Sequence, residues 1–305
     1  MKTTNVPSQE VVGMLPTFKA SFFLMLLICF ASVALQAYGQ EYEFQRLNPP
    51  GSTYSFAFGL NNNRVVVGSF VDATSAYEGY VYEGGTYKAI VFPGSVAFTQ
   101  ASGINDLNTV VGEFVGSDQL THGYLLTPPG KFTQYDVAVG SSTYIYGINN
   151  AGNFVGFTSF QGQTVMGFVN IGGTVTKFTF QGDYTFAFAI NGKNDTVGDF
   201  ITPPPTSITH GFHRDAAGTM TQIDYPGALE TVCLGINDLG EITGYYLDTN
   251  NVAHGFITKS GRFRTTSLPD LAGINNKESL VGSYIAKNGE NYGYLATPVS
   301  PCQTR

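Results

Sequence analysis

Three of the four histidines, His122, His210 and His254, each sit directly before a glycine and an aromatic residue. Histidine recurring in one slot suggests metal ligation, which requires ring nitrogens converging within about 2 Å of a single ion. The same slot holds Glu78, Met166 and Tyr292 elsewhere, so it accepts side chains of unrelated chemistry. Equivalent positions in separate repeats also stand apart in space. A structural role is expected for these histidines, and no metal. His213-Arg214-Asp215 has the letters of a kinase catalytic loop, but neither a glycine-rich loop nor a magnesium partner accompanies it. No G-x-S-x-G nucleophile elbow, spaced Cys/His cluster or calcium loop is present. Asp106, Asp136, Asp199, Asp224, Asp238 and Glu241 are scattered over turns and strands. Carboxylate-pair hydrolysis needs two of them roughly 5–10 Å apart, and nothing in the sequence pairs any two. The expectation is a chain with no catalytic residue and no cofactor.

The bulk composition narrows the partners. Of 305 residues only 12% are charged while 14% are aromatic and 37 are glycine, which suits a turn-rich β fold and argues against disorder. The net charge is −7, without the clustered Lys/Arg that a nucleic-acid groove needs. Cys29 lies in a leading apolar run, leaving Cys233 and Cys302. They are open to pairing in an oxidising compartment, and otherwise Cys233 is a small buried thiol.

What must position all of these residues is a repeat. A Gly/Ala–aliphatic–Asn triplet begins at Gly59, Gly103, Gly147, Ala189, Gly235 and Gly273, in steps of 44, 44, 42, 46 and 38 residues. A second glycine follows nine residues later in every copy: Gly68, Gly112, Gly156, Gly198, Gly244 and Gly282. A third precedes an aromatic at Gly79, Gly123, Gly167, Gly211, Gly255 and Gly293. Periods of this size belong to propellers, solenoids or arrays. Copy two reads as four strands: Phe98–Ile104, Thr109–Val115, His122–Leu126 and Lys131–Val137. An Asn-Asp turn joins the first two and a Pro-Pro-Gly turn the last two. Four short strands per repeat match a propeller blade. The glycines are expected where sheets converge on an axis and a Cβ would strike the next sheet.

Copy six stops after its third strand, whereas Tyr42–Gly51 has the ending of a fourth strand and no blade of its own. The expected fold is therefore an all-β, six-bladed propeller over residues 41–298. Its blades are four-stranded and antiparallel, and the ring is closed by the N-terminal strand of the mature chain; 299–305 form a tail. Closure removes sheet edges that would otherwise invite aggregation. Ahead of it, Lys19, the apolar run Ala20–Leu35 and Ala37-Tyr38-Gly39 describe a secretory signal over residues 1–37. A start at Met14 gives that signal an ordinary length. The location expected is extracellular or periplasmic. The competing reading is a retained membrane anchor over residues 20–37.

The runs GINDLGEITGYYLDTNNVAHGF and HGFHRDAAGTMTQIDYPGA resemble the HAF family of extracellular repeat proteins. The resemblance extends from about Phe44 to Leu295 and is best in copies two, four and five. It implies export and a propeller-like fold, and it carries no activity that transfers.

Links between first and second strands are uniform and Asn-rich. Second-to-third links vary, as in Asp72–Tyr77 and Thr158–Val165, and fourth-to-first links vary too. In an alternating blade the two variable sets emerge on one face, where recognition loops usually sit. Rim aromatics there, Tyr54, Tyr77, Phe98, Tyr184 and Tyr292, suit stacking on a sugar or clamping a peptide, or else packing between blades. The expected function is a non-catalytic binding or cell-envelope scaffold with a glycan or peptide partner and no nucleic acid. A membrane enters only through an uncleaved N-terminal segment. Two alternatives stand beside it: a secreted hydrolase or lyase acting on glycans or small esters, and a structural surface or adhesive component.

Overall fold

The computed structural model describes residues 42–160, 164–182 and 184–299. The proposed signal, the alternative start at Met14, Cys29 and Cys302 lie outside the described residues. Blade one comprises β2 (Ser52–Leu60), β3 (Val66–Asp72), β4 (Tyr77–Glu83) and β5 (Thr86–Ile90), after the leading β1 (Tyr42–Leu47). Blade two is β6 (Thr99–Ile104), β7 (Val110–Val115), β8 (Thr121–Thr127) and β9 (Lys131–Tyr135). Blade three is β10 (Ser142–Ile148), β11 (Phe154–Ser159), β12 (Met166–Ile171) and β13 (Thr174–Phe178). Blade four is β14 (Tyr184–Ile190), β15 (Thr196–Ile201), β16 (Thr209–Arg214) and β17 (Met220–Ile223). Blade five is β18 (Glu230–Ile236), β19 (Glu241–Leu247), β20 (Ala253–Lys259) and β21 (Arg262–Thr265). The sixth sheet runs β22 (Gly273–Ile274), β23 (Leu280–Ile285), β24 (Asn291–Pro298) and then β1. Every pairing within a blade is antiparallel. The chain is a six-bladed β-propeller closed by its own N-terminal strand.

The core lies between blades. Ala57, Val66 and Tyr80 of blade one pack with Val281 and Leu295 of blade six, and Val67 and Ile90 with Ala101 and Ile104 of blade two. Such interfaces form only if the inner strands approach closely. A Cβ on Gly59 would fall 2.8 Å from the Ser102 carbonyl oxygen of the next blade, and one on Gly147 would fall 2.8 Å from Ala189 Cα. The first glycine of the repeat therefore has the expected cause. The second has another. A Cβ on Gly156 would overlap the Tyr144 carbonyl of its own sheet, and the same holds for Gly68 over Phe56 and Gly198 over Phe186. A bulge in the inner strand, between Ile145 and Gly147 in blade three, lies beside that carbonyl. Convergence on the axis does not explain these glycines; the bulge does.

The asparagines of the six triplets close the ring. In each turn Asn Oδ1 accepts two backbone N–H groups, as Asn149 does from Ala151 and Asn153, both at 3.1 Å. Its Nδ2 then donates to the backbone carbonyl of the next triplet asparagine. The circuit runs Asn61 to Asn105 (3.1 Å), Asn149 (3.1 Å), Asn191 (2.9 Å), Asn237 (3.3 Å), Asn275 (3.2 Å) and back to Asn61 (2.9 Å). All six are buried. β1 joins the ends at the periphery: the Leu47 carbonyl accepts from Ser55 Oγ at 2.7 Å, Asn48 N donates to Tyr87 Oη at 2.9 Å, and the Arg46 guanidinium lies 3.2 Å over the Tyr292 ring.

Two predictions follow from closure. Asn149→Ala strands four bonded groups in a buried turn and should lower unfolding stability by about 3 kcal/mol, read from urea denaturation; a change under about 0.5 kcal/mol would show that the amide circuit carries no energy. Deleting residues 42–47 should drop the melting temperature by more than ~10 °C, since the core loses the Leu47 side chain and the blade-six edge strand β24 loses its partner. Melting like the intact protein would mean that the ring closes without this strand.

Candidate functional site

The inner strands leave a channel whose wall differs from blade to blade. In β2 the residues Tyr54, Phe56 and Phe58 follow at every second position, and in β14 Tyr184, Phe186 and Phe188 do the same. Phe56 and Phe58 stack at 6.0 Å, Phe186 and Phe188 at 6.4 Å. Blades one and four stand opposite each other in a ring of six, so two aromatic columns face across the axis. Half-buried side chains on an innermost strand see solvent only along that axis, and Phe56, Phe58, Tyr144, Tyr146 and Phe186 are half-buried. Phe157 wedges between blades three and four, 4.5 Å from Tyr144 and 4.9 Å from Phe186.

Polar groups occupy the gaps between the columns. In blade two Gln100 Nε2 donates to Glu113 Oε1 at 2.8 Å and Ser102 Oγ to Glu113 Oε2 at 3.1 Å, while Tyr77 Oη donates to Gln100 Oε1 at 3.1 Å. Glu113 is 3% exposed. Burial pushes its carboxyl up to about 8, against the lowering effect of bonds from Ser102 and Tyr146. Between blades four and five, burial and the charge of Glu230 raise Asp199 to about 8. In blade six burial raises Asp270 to about 7. Aromatic walls with a few convergent polar groups of shifted acidity are the ordinary make-up of a small-ligand site.

The five rim aromatics separate into two groups. Tyr54, 40% exposed, and half-buried Tyr184 head the two columns. Tyr77 and Phe98 pack edge-to-face at 5.8 Å, with a backbone bridge joining the two blades beneath them. Tyr292 is 3% exposed under Arg46, and its hydroxyl meets Glu290. Tyr77 and Phe98 join blades one and two, and Tyr292 packs within the sixth sheet. Sequence patterns do not single out Gln100, Glu113, Phe56, Phe58, Phe186 or Phe188 as site residues. The signal they share, Glu113 apart, is position one or three residues ahead of the first residue of a triplet; Glu113 directly follows the second glycine, Gly112.

The histidines stay within their own blades. His122 Nδ1 lies 2.8 Å from Asp136 and Nε2 3.1 Å from Asp118, with the ring stacked on Phe114 at 5.3 Å. His210 meets Asp224 at 2.8 Å and stacks on Phe200; His254 meets Asp248 at 3.1 Å and stacks on Tyr246. No group of three or more metal-binding side chains gathers among the described residues. Asp215 of the His-Arg-Asp run accepts from Thr219 N at 2.8 Å and closes a hairpin turn. Cys233 is a free, buried thiol facing Gly211 of the neighbouring blade. At the opposite channel end, a vestibule of about 80 Å³ is lined by the asparagine circuit, Asp106 and Asp238. Burial raises Asp106, but donors on Asn62 and Asn150 and the charge of Lys277 hold it below the usual carboxylate value. Its oxygens are occupied by those amides.

Comparison with known proteins places the architecture. No protein-family model and no curated protein matches the sequence. Solved propellers do match by shape. The SapL1 lectin in complex with alpha methyl fucoside aligns at 13% identity with a TM-score of 0.53, over 82% of this chain and 97% of that one. Aleuria aurantia lectin with alpha-methyl-L-fucoside aligns at 10% and 0.50, over 82% and 96%. A gluconolactonase from Xanthomonas campestris aligns at 7% and 0.51, over 81% and 88%. At such identities the likeness is one of fold.

The buried carboxyl of blade two gives a pH test. A carboxyl raised from its unfolded value to about 8 keeps its proton in the folded state, so its contribution is full below about pH 4 and is lost as pH rises toward 8. Glu113→Gln should therefore melt above the parent protein at pH 8, with the advantage disappearing near pH 4.5. An equal difference at both pH values would mean the carboxyl is not held neutral.

Proposed function

We propose that this chain is an exported, non-catalytic binding scaffold of the HAF type, holding a glycan at the variable-loop end of its channel. The observation that carries it is the pair of aromatic columns, Tyr54–Phe56–Phe58 and Tyr184–Phe186–Phe188, facing across the axis with carboxyl and amide groups between them. Aromatic faces stack on the C–H faces of a pyranose, while buried acids and amides bond its hydroxyls, and the two together favour sugars over wholly apolar ligands. The loops around this end differ in length between blades, while the opposite end is fixed by the amide circuit. Diversity is thus tolerated only where the columns open. Two lectins of the same fold are solved with fucosides, which agrees with a sugar partner. The apolar run ahead of Tyr42 agrees with export.

A glycan array should return a defined set of binders, with no product formed on a panel of glycosides and small esters. Tyr54→Ala and Tyr184→Ala should each weaken the best binder roughly tenfold in calorimetric titration. Tyr54→Ala should leave the melting temperature within about 2 °C, since its ring is already exposed. Turnover on the panel, or affinity untouched by both changes, would sink the reading.

A further inference from the structure

The channel is not evenly polar. Glu113 is answered by Gln100 and Ser102, but the acids on the other side are not answered. Asp199 is 8% exposed, sits in register opposite Phe186 on β15, and its Oδ1 has no hydrogen-bond partner. Glu230 begins β18 at the rim of the neighbouring blade, and Asp199 feels its charge. Asp270 Oδ1 in blade six also lacks a partner. Tyr245, between them in blade five, feels Asp199, Asp270 and Glu230 together, after the larger effect of its own burial. Among the described residues no lysine or arginine forms an ion pair with any of the three. Burial raises Glu230, with His210 acting in the opposite direction.

Resting on the channel reading above, we propose that the part of the channel between blades four and six receives a protonated amine, so that the glycan held there carries a free amino group. Buried carboxylates need a counter-charge, and the fold supplies none to Asp199 and Asp270. An ammonium group brings both the charge and the donors that the two unpartnered oxygens lack. Phe186 and Tyr184, on the blade that carries Asp199, offer faces to the sugar ring and to the cation itself. A bare metal ion fits less well, because the three carboxyls spread over three blades and form no metal-binding group among the described residues. In the unliganded protein burial keeps Asp199 and Asp270 raised, to about 8 and about 7. Docking of the ammonium converts Asp199 to its carboxylate and sends that proton to solvent.

The test uses the folded protein and two probes of equal length, the glucosamine tetramer and its fully N-acetylated counterpart, titrated by calorimetry at pH 7. The free-amine tetramer should bind at least tenfold more tightly. Asp199→Asn should weaken it tenfold or more without changing the affinity of the acetylated tetramer, and Asp215→Asn, in the outer β16–β17 turn, should leave both unchanged. Equal binding of the two probes, or an amine probe indifferent to Asp199→Asn, overturns the proposal. If the acetylated probe or another array glycan binds while the amine probe does not, the amine assignment fails and the glycan scaffold stands. If no sugar binds at all, both fail.

Discussion

Six small sheets, none able to stand alone, are held in register by a circuit of amides. Each triplet asparagine uses its oxygen to fold its own turn and its nitrogen to reach the next blade's backbone. Local and global structure thereby share one side chain. A turn that misfolds also opens the ring, and an open ring exposes the apolar faces between blades to water. The last link, Asn275 to Asn61, spans 214 residues of sequence. It forms only once the intervening blades are in place. That dependence makes closure cooperative, and β1 completes it at the outer edge, where Leu47 meets Ser55 across the seam.

A second circuit lies just outside the first, and its one interruption is instructive. The residue after each asparagine is Asn62, Asp106, Asn150, Gly192, Asp238 or Asn276, and its side-chain oxygen accepts from the backbone N–H of the preceding copy's equivalent. Gly192 has no side chain to accept with, so that ring is broken between blades three and four. The inner circuit passes the same point without a gap, from Asn149 to Asn191. Redundancy at this face explains how the outer position tolerates three residue types while the inner admits one.

Most of the architecture was legible because the constraints repeat. The glycine–aliphatic–asparagine spacing, the strand boundaries of copy two to within two residues, and the displaced fourth strand before blade one all reflect demands that every blade meets in the same way. The cause of the second glycine was not legible. A bulge is a matter of one unpaired residue, Tyr146 in blade three, and no residue type announces it. The candidate site was legible only as a class of residue. Tyr54, Tyr77, Phe98, Tyr184 and Tyr292 all stood out as aromatics near variable loops, and in the structure Tyr77, Phe98 and Tyr292 are engaged by neighbouring side chains. What separates them is whether the ring ends on the axis or between sheets. That depends on strand register, which a list of aromatic positions does not contain.

The channel wall shows the reverse of the repeat's logic. Positions one and three before the triplet glycine hold Phe58 and Phe56 in blade one, Ser102 and Gln100 in blade two, Tyr146 and Tyr144 in blade three, and Ala272 and Asp270 in blade six. Closure asks little of these side chains, since the backbone and the asparagines already join the inner strands. A wall selected for stability alone would be small and apolar, because an ionisable group taken out of water weakens the fold unless it is answered. Glu113 is answered by an amide and a hydroxyl, and reads as a local structural network. Asp199 and Asp270 each keep one buried carboxyl oxygen without a hydrogen-bond partner, and no lysine or arginine among the described residues pairs with either. On the amine proposal their presence is accounted for by a ligand that enters the channel, and the absence of a lysine or arginine partner is what assigns it a positive charge.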